Sequence, residues 1–356
     1  MRQVSPMIYP GCLSIFLLLF AAPMFAWAQA GQENPAPCAK CHVEGRTQPD
    51  TDMAHALEPV ERDPVLVNHP DLTATYGKYT YHLERKGDQT LFSVTDGTDT
   101  LTMPIRYAMG ASSALGQTFI LEKDGKLYES RLSWFRELNR LGPTLGAQTN
   151  LPVNLNEAAG RLLSEDETQR CFGCHATNAV SNKQLTLEKM TPGVQCSHCH
   201  EAVDAHLAAL VKGSGKPVVP KELTNLHDLT AEQAGDFCGR CHHTWSDVVN
   251  RGAYSINNVR FQPYRLWGSL CYDPDDARIS CVACHDPHKE VSAQLVDYDA
   301  KCQACHSGGK HGAKTCPASK NNCVSCHMPK TELPGANFKF TDHRIRVVKA
   351  NQPYPR

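Results

Sequence analysis

Apolar and polar positions alternate most clearly between residues 79 and 132, where five short segments follow the two-residue period of a β-strand. These segments cover residues 79–85, 91–95, 102–108, 119–122 and 126–132. The pairs Asp96-Gly97 and Asp124-Gly125 lie between neighbouring segments and are typical of tight hairpin turns. The pattern predicts a small antiparallel β unit over roughly residues 70–135.

Helical periodicity is weaker and occurs in short pieces. Residues 157–164 and 202–211 are predicted helices, and loops containing Gly and Pro separate such pieces. No long run of either period continues after residue 135, so side chains alone do not account for a core there.

The N-terminus has the pattern of an export signal. Arg2 precedes an unbroken apolar run over residues 15–22, and Ala28-Gln29-Ala30 fits the small-residue cleavage pattern. We therefore predict a signal peptide over residues 1–30, and no second segment is apolar enough to cross a membrane. A periplasmic or extracellular location follows from this reading.

The content of Cys and His in the sequence indicates which chemistry the protein can perform. The 356 residues include 17 Cys and 17 His, and the formal charge is −1, which gives no reason to expect a nucleic-acid partner. Fourteen of the cysteines form seven Cys-x-x-Cys pairs, each followed directly by His. The pairs are Cys38/Cys41, Cys171/Cys174, Cys196/Cys199, Cys238/Cys241, Cys281/Cys284, Cys302/Cys305 and Cys323/Cys326. The following histidines are His42, His175, His200, His242, His285, His306 and His327.

This spacing suits covalent haem c. Two thiols three positions apart lie on one face of a helical turn and reach the two vinyl groups of one porphyrin, and the next imidazole binds the iron. A zinc ribbon shares one metal between two pairs and requires no following His, and seven is an odd number of pairs. A thioredoxin-like redox motif occurs once. The sequence therefore predicts seven haems, dense enough to replace much of the core, and a chain that is mostly disordered without them.

Ten further histidines exceed ordinary surface use and suggest bis-histidine iron coordination. His55, His206, His288 and His343 are the stronger candidates for the second ligand. His311, His227 and His243 are weaker, and His311 is retained in the predicted set. For His198, His82 and His69 an ordinary polar role is favoured.

Two cysteines remain, because Cys12 precedes the predicted cleavage site. In an oxidising compartment, Cys271 and Cys316 would form a disulfide more often than stay free.

Motif spacing divides the chain. We predict residues 31–69 as an N-terminal segment with the first motif, 70–150 as a haem-free β-rich insert, and 151–356 as a six-haem cytochrome domain. The predicted fold class is mixed: a mostly irregular or α-helical multihaem cytochrome core with few regular elements, plus the small antiparallel β insert.

Several segments resemble one group of proteins. Residues 194–206, 237–245, 278–288 and 322–330, together with 342–344, are similar to multihaem cytochromes of the superfamily that contains the nitrification tetrahaem cytochrome and hydroxylamine oxidoreductase. The β segment, with residues 107–110 and 133–135, resembles the haem-free insert of other members. The resemblance implies second ligands at His206, His288 and His343. Enzymes of the nitrite-reductase branch that resemble this superfamily often carry Lys in place of the His of one motif. All seven motifs of this chain keep His.

Two functions fit these observations. In the first, the haems are six-coordinate and relay electrons from a quinone-linked donor to a terminal acceptor or another redox partner protein. In the second, one five-coordinate haem reduces or oxidises a small nitrogen or sulfur compound. The haem at Cys238/Cys241 is the candidate for that open site, with Arg240, Trp245 or Arg260 lining it. The relay is favoured, and self-association stays open.

Overall fold

A computed structural model describes residues 36–111, 116–200, 202–211, 225–252, 254–307, 316–334 and 339–349. Its largest element is a nine-stranded antiparallel sheet. The strands are β1 (Leu57–Pro59), β2 (Asp71–Tyr76), β3 (Tyr79–Lys86), β4 (Gln89–Thr95), β5 (Thr100–Met109), β6 (Gln117–Lys123), β7 (Lys126–Phe135), β8 (Arg140–Pro143) and β9 (Gly160–Leu162). Strands β2 to β8 pair in sequence order, β1 joins β5, and β9 joins β7.

The meander curves until its first and last strands approach each other. Strand β2 lies against β8 as well as against β3, so the sheet is nearly barrel-shaped. The hairpin between β6 and β7 turns at Asp124 and Gly125, which both have positive φ (52° and 70°), as an Asp-Gly turn of this kind requires. The five predicted strands are therefore confirmed.

The predicted fold class is wrong. Instead of a mostly irregular or helical core with a small insert, a large sheet spans Leu57 to Leu162. Its interior is filled by side chains, and Tyr81, Phe92 and Phe119 are each 0% exposed. The expectation failed because haem density was averaged over the whole chain, whereas no motif falls within this sheet.

Twelve helices, mostly short, accompany the sheet in the described residues. They are α1 (Ala36–Ala39), α2 (Pro64–Asn68), α3 (Leu155–Ala159), α4 (Glu165–His175), α5 (Cys196–Cys199), α6 (Val203–Val211), α7 (Ala231–His242), α8 (Trp245–Arg251), α9 (Gln262–Trp267), α10 (Cys281–Cys284), α11 (Asp299–His306) and α12 (Cys323–His327). Two-stranded pairs complete the list: β10 (Ala176–Thr177) with β13 (Thr191–Pro192), β11 (Val180–Ser181) with β12 (Gln184–Leu185), and β14 (Lys330–Glu332) with β15 (Lys339–Thr341).

One predicted helix is confirmed and the other is not. Helix α6 matches the predicted residues 202–211 closely. The predicted helix over 157–164 is wrong, since α3 ends at Ala159 and the chain continues as β9. Gly160 allows this change, because a Cβ there would lie 2.2 Å from the carbonyl oxygen of Glu129 in β7. Close backbone pairing between strands overrides helical propensity here.

The sheet is expected to fold without haem. In a variant with all fourteen motif cysteines replaced by Ala, we expect loss of cooperative structure after residue 165 but retention of a β-type circular dichroism spectrum. We expect a single thermal unfolding transition, and the fluorescence of Trp134, which is 4% exposed, would monitor it. Adding Phe92→Ala should lower the stability of this transition by about 3–5 kcal/mol. A variant that shows no transition would contradict an independent sheet core.

Candidate haem-binding sites

Each of the seven motifs forms a helical turn. Motifs at Cys196, Cys281 and Cys323 make up α5, α10 and α12, whereas those at Cys171, Cys238 and Cys302 end the longer helices α4, α7 and α11. The first motif begins at Cys38 inside α1 and continues beyond its end, and the N–H of His42 donates to the carbonyl of Cys38 (2.8 Å). This turn brings both thiols to one side with the imidazole next to them, as haem attachment requires.

The attachment thiols differ in their exposure. Cys41 is exposed, and so are Cys284 and Cys326. For Cys41 the cause is local, because α1 ends at Ala39, two residues earlier, and the following turn packs Gly45 against the backbone of Ala39. Haem attachment at this thiol stays a prediction.

The sheet anchors the second motif. Phe172, between the two cysteines, is fully buried and meets Tyr107 of β5 edge to face, with ring centroids 5.2 Å apart. Leu57, Ile120 and Met190 complete this cluster on the face of the sheet. The haem-free β-sheet therefore fixes the position of α4 and of its motif.

A capping box starts α4. The Ser164 hydroxyl accepts from the N–H of Glu167, and the Glu167 carboxylate accepts from the N–H of Ser164 (3.0 Å). These hydrogen bonds, together with the nearby Arg161, lower the pKa of Glu167 from an ordinary value of 4.5 to about 2, although burial acts in the opposite direction. Because the folded pKa is depressed, this carboxylate stabilises the fold above pH 4.5, and the contribution disappears as pH falls toward 2.

We expect Glu167→Gln to lower the melting temperature at pH 7. The difference in melting temperature from the unmodified protein should become smaller as the pH falls below 4.5. Scanning calorimetry of the holoprotein between pH 7 and pH 3 measures this difference. Glu165→Gln removes the same charge from the same first turn but leaves the capping box intact, and it is the matched control. A pH-independent difference for Glu167→Gln would contradict the assigned role.

Three pairs of imidazole rings stand at the separation that a shared iron requires. The centroids of His42 and His206 are 6.2 Å apart, those of His200 and His288 6.1 Å, and those of His285 and His343 6.2 Å. Two imidazoles on opposite sides of one iron, each bound at about 2 Å, have centroids about 6 Å apart. Paired thiols and paired imidazoles thus fit haem c.

Hydrogen bonds orient several of these rings. Nδ1 of His175 donates to the carbonyl of Ala56 (2.9 Å), Nδ1 of His327 to that of Arg346 (2.9 Å), and Nδ1 of His343 to that of Thr341 (3.1 Å). Because a carbonyl only accepts, Nδ1 carries the proton and Nε2 is left with a lone pair for a metal. Burial lowers the pKa of His343 to about 4, so this ring is neutral at pH 7.

A buried ion cluster supports His343. Asp342 is 0% exposed and accepts from Arg265 Nε (2.8 Å) and from Arg346 Nη1 (2.6 Å). Burial alone would raise the pKa of Asp342, but the hydrogen bonds and charges of these arginines outweigh burial. The pKa is therefore lowered overall, and the carboxylate is ionised. Arg265 lies 77 residues from Asp342 in sequence and carries no local signal of this role, so it was not predictable from the sequence.

The remaining histidines have varied surroundings. His55 directs Nδ1 at the carboxylate of Glu58, which raises the pKa of His55. His243 turns onto Phe261, with centroids 4.4 Å apart, and His198 contacts the Cys241 thiol. The list is completed by His69, stacked on Trp134 (4.4 Å), His82, 3.2 Å from Asp71, and His227 in the short turn Leu226–Asp228. His311 lies outside the described residues.

Within the described parts of the chain, no second imidazole forms such a pair with His175, His242 or His327. The side chain of His242 is exposed, whereas those of His175 and His327 are half-buried, and desolvation by its neighbours lowers the pKa of His242. The two predicted pocket residues nearest to it are engaged elsewhere: Arg240 lies over the ring of Phe237 (4.2 Å), and Trp245 contacts Trp267 (5.3 Å).

The first four motifs lie close together. Burial lowers the pKa of His200, and the nearby imidazoles of His288 and His42 lower it further. The ring of His42 also faces that of His206, which follows the third motif in sequence, so the first and third motifs are neighbours. Burial raises the pKa of Cys199, and the neighbouring Cys241 thiol adds to it, which links the third motif to the fourth. The thiol of Cys174 donates to the carbonyl oxygen of Arg240 (3.7 Å), which lies inside the fourth motif, and so links the second motif to the fourth.

The same succession continues to the seventh motif. Helix α7, which ends in the fourth motif, packs against α10, which forms the fifth, and the thiol of Cys281 raises the pKa of Cys238. Burial raises the pKa of Cys302, with a further rise from the Cys284 thiol of the fifth motif. Cys302 also contacts Cys323, and Asp299 of α11 accepts from the N–H groups of Asn322 and Cys323 (2.7 and 2.8 Å) at the start of α12. All seven motifs therefore form one connected series.

The predicted Cys271–Cys316 disulfide is wrong, since both thiols are free and exposed. Cys271 follows α9 and lies near Cys305 of the sixth motif, and burial raises its pKa. The pKa of Cys316 is lowered by backbone N–H groups of Ser319 and Ala318 within its own loop. Each thiol is thus held in a separate local environment.

No helix among the described residues is long and apolar enough to cross a membrane. The predicted signal peptide, residues 1–30, lies outside the described part of the chain.

A family model described as cytochrome c554 and c-prime matches residues 145–201. The matched segment contains α4, α5 and the motifs at Cys171 and Cys196. No curated protein and no solved structure matches the chain. The match supports a c-type cytochrome that binds haem c covalently and carries electrons. Cytochromes of this class usually work in the periplasm or outside the cell.

Proposed function

We propose that this chain is an exported heptahaem cytochrome that relays electrons along seven closely packed haems. The closeness of neighbouring motifs, from Cys38 to Cys323, is the observation that carries the proposal. Each thiol pair would hold one haem, and the following His would bind its iron. The iron of haem c alternates between ferric and ferrous, and so accepts and releases single electrons.

The histidine pairs support a relay because two imidazoles make the iron six-coordinate and low-spin, so its geometry changes little on reduction. His206, His288 and His343 would be the second ligands of the haems held at Cys38, Cys196 and Cys281. His55, supported by Glu58, and His311 are proposed for two others. A quinone-linked donor and a terminal acceptor remain the proposed partners.

Haem content and spin state test the proposal together. The mass of the purified holoprotein should exceed that of the mature polypeptide by seven haems, and its ferric electron paramagnetic resonance spectrum should be mainly low-spin. Fewer haems would contradict attachment at every motif. A spectrum dominated by high-spin iron would contradict the relay.

A second candidate function is an oxidoreductase acting at the haem of Cys238/Cys241. Within the described residues no second imidazole pairs with His242, and His243 packs on Phe261. An open iron position there would give one high-spin signal that shifts when nitrite, hydroxylamine or sulfite is added. A purely low-spin spectrum, unchanged by these compounds, would exclude this candidate.

A further inference from the structure

Charge is distributed very unevenly along the chain. Residues 301–356 contain ten Lys and Arg but only two Asp and Glu, a formal charge of +8, whereas residues 1–300 contain 26 and 35, a formal charge of −9. The positive segment carries the sixth and seventh motifs. We refer to its described part, residues 301–307, 316–334 and 339–349, as the basic end.

The two acidic residues of the basic end do not offset its surface charge. Asp342 is buried between Arg265 and Arg346, and Glu332 lies 3.8 Å from Lys339. Asp299, just before this segment, is 4% exposed and caps the backbone at the start of α12. The acidic groups nearest to the last two motifs are therefore already occupied.

Three lysines of the basic end are exposed and surround these motifs. Lys301 precedes Cys302 in α11, Lys320 is tied to the same helix because its carbonyl accepts from Gln303 Nε2 (2.6 Å), and Lys330 follows α12. Within the described residues no acidic side chain forms an ion pair with any of them. The thiol of Cys326 is itself exposed, so the attachment face of the seventh motif reaches the surface.

We propose that the basic end is the docking surface for an acidic one-electron redox protein, which exchanges electrons with the haems of the sixth and seventh motifs. This inference rests on the proposed electron-relay function. Two ferric haems would contribute about −1 each, which leaves the basic end positive while the other five make the remainder more negative. An acidic partner would therefore be attracted to one end and repelled by the rest of the molecule.

Electron exchange with probes of opposite charge tests this surface. The reduced holoprotein would be mixed with hexacyanoferrate(III) or with hexaammineruthenium(III), and the ferric holoprotein with reduced flavodoxin as an acidic one-electron protein. In the last reaction the flavin loses one electron and a ferric iron becomes ferrous. Although the whole protein is negative, the rates with hexacyanoferrate and flavodoxin should fall about tenfold between low and high ionic strength.

Two triple variants with the same change in net charge locate the effect. Lys301→Glu/Lys320→Glu/Lys330→Glu should abolish the low-salt rate enhancement with both anionic probes. Lys78→Glu/Lys126→Glu/Lys189→Glu alters three exposed lysines outside the basic end and should retain most of it. An equal loss in both variants would show that net charge alone acts and would overturn the proposal.

Two other results are distinguishable. Attraction of hexacyanoferrate without attraction of flavodoxin would reveal a site for small anions and would overturn docking of a protein. Failure of the reduced protein to react with any probe, including hexaammineruthenium, would count against the electron-relay function itself.

Discussion

His343→Ala is expected to convert one haem from low-spin to high-spin and to leave the others unchanged. The side chain of His343 is half-buried, its ring centroid lies 6.2 Å from that of His285, and Nδ1 donates to the carbonyl of Thr341. Nε2 would therefore be available to an iron for which His285 would supply the other ligand. Removal of the ring would leave water or nothing in that position, and both give a weaker ligand field. Electron paramagnetic resonance of the ferric variant should show a high-spin signal equivalent to one haem.

Added imidazole separates a lost ligand from a disturbed fold. The variant has a cavity of the shape of the lost ring, so free imidazole should restore the low-spin spectrum. His82→Ala is the control, because that imidazole lies on β3 beside Asp71 and away from the motifs. If the His343→Ala spectrum stays entirely low-spin, the pairing of His285 with His343 is not a haem site.

The motifs were predictable from the sequence because each depends on a few neighbouring residues. A Cys-x-x-Cys-His segment forms the same helical turn wherever it occurs, and the Asp124-Gly125 turn likewise forms from its own conformational preference. How far each thiol is enclosed was not predictable, because the exposure of Cys41 depends on how the chain after the motif packs. The strands over residues 79–132 show the alternation of a sheet with one buried face.

The extent of the sheet was not predictable in this way. Strand β1 has three residues and β9 has three, which is too short for an alternation to be recognised. Both are strands because long-range partners, β5 and β7, offer free backbone groups to them. Their formation depends on tertiary packing, and so the size of the side-chain core was underestimated.

The proposed second ligands show the same contrast between features set by neighbouring residues and features set by long-range packing. The sequence contexts favour His206, His288 and His343 as second ligands, which stays a prediction, but they do not indicate which motif histidine each ring faces. His343 lies nearest in sequence to the last motif, yet its ring faces His285 of the fifth. The intervening chain returns through β14 and β15 and is fixed by Arg265 of α9, which are contacts between distant parts of the sequence.

Asp342→Asn is expected to destabilise the holoprotein by about 3–5 kcal/mol, the usual cost of breaking a buried ion pair from one side. The side chain of Arg265 is 2% exposed, and without the carboxylate its charge would be left in the interior without compensation. Arg346, whose carbonyl orients His327, would lose its partner as well. Guanidinium unfolding, followed by the haem absorbance, measures the free energy, and the low-spin signal of the His285–His343 haem should broaden because the neighbouring backbone is released.

Asp166→Asn is the matched control for this change. Asp166 pairs with Arg170 at 2.7 Å, but both side chains are exposed (75% and 48%), so the expected cost is about 0.5 kcal/mol or less. The double variant Arg265→Met/Asp342→Leu should recover part of the stability lost in Asp342→Asn, because it removes the uncompensated charge together with its partner. Equal costs for Asp342→Asn and Asp166→Asn would mean that Arg265 is solvated in the holoprotein, and the ion cluster would then have no part in holding His343.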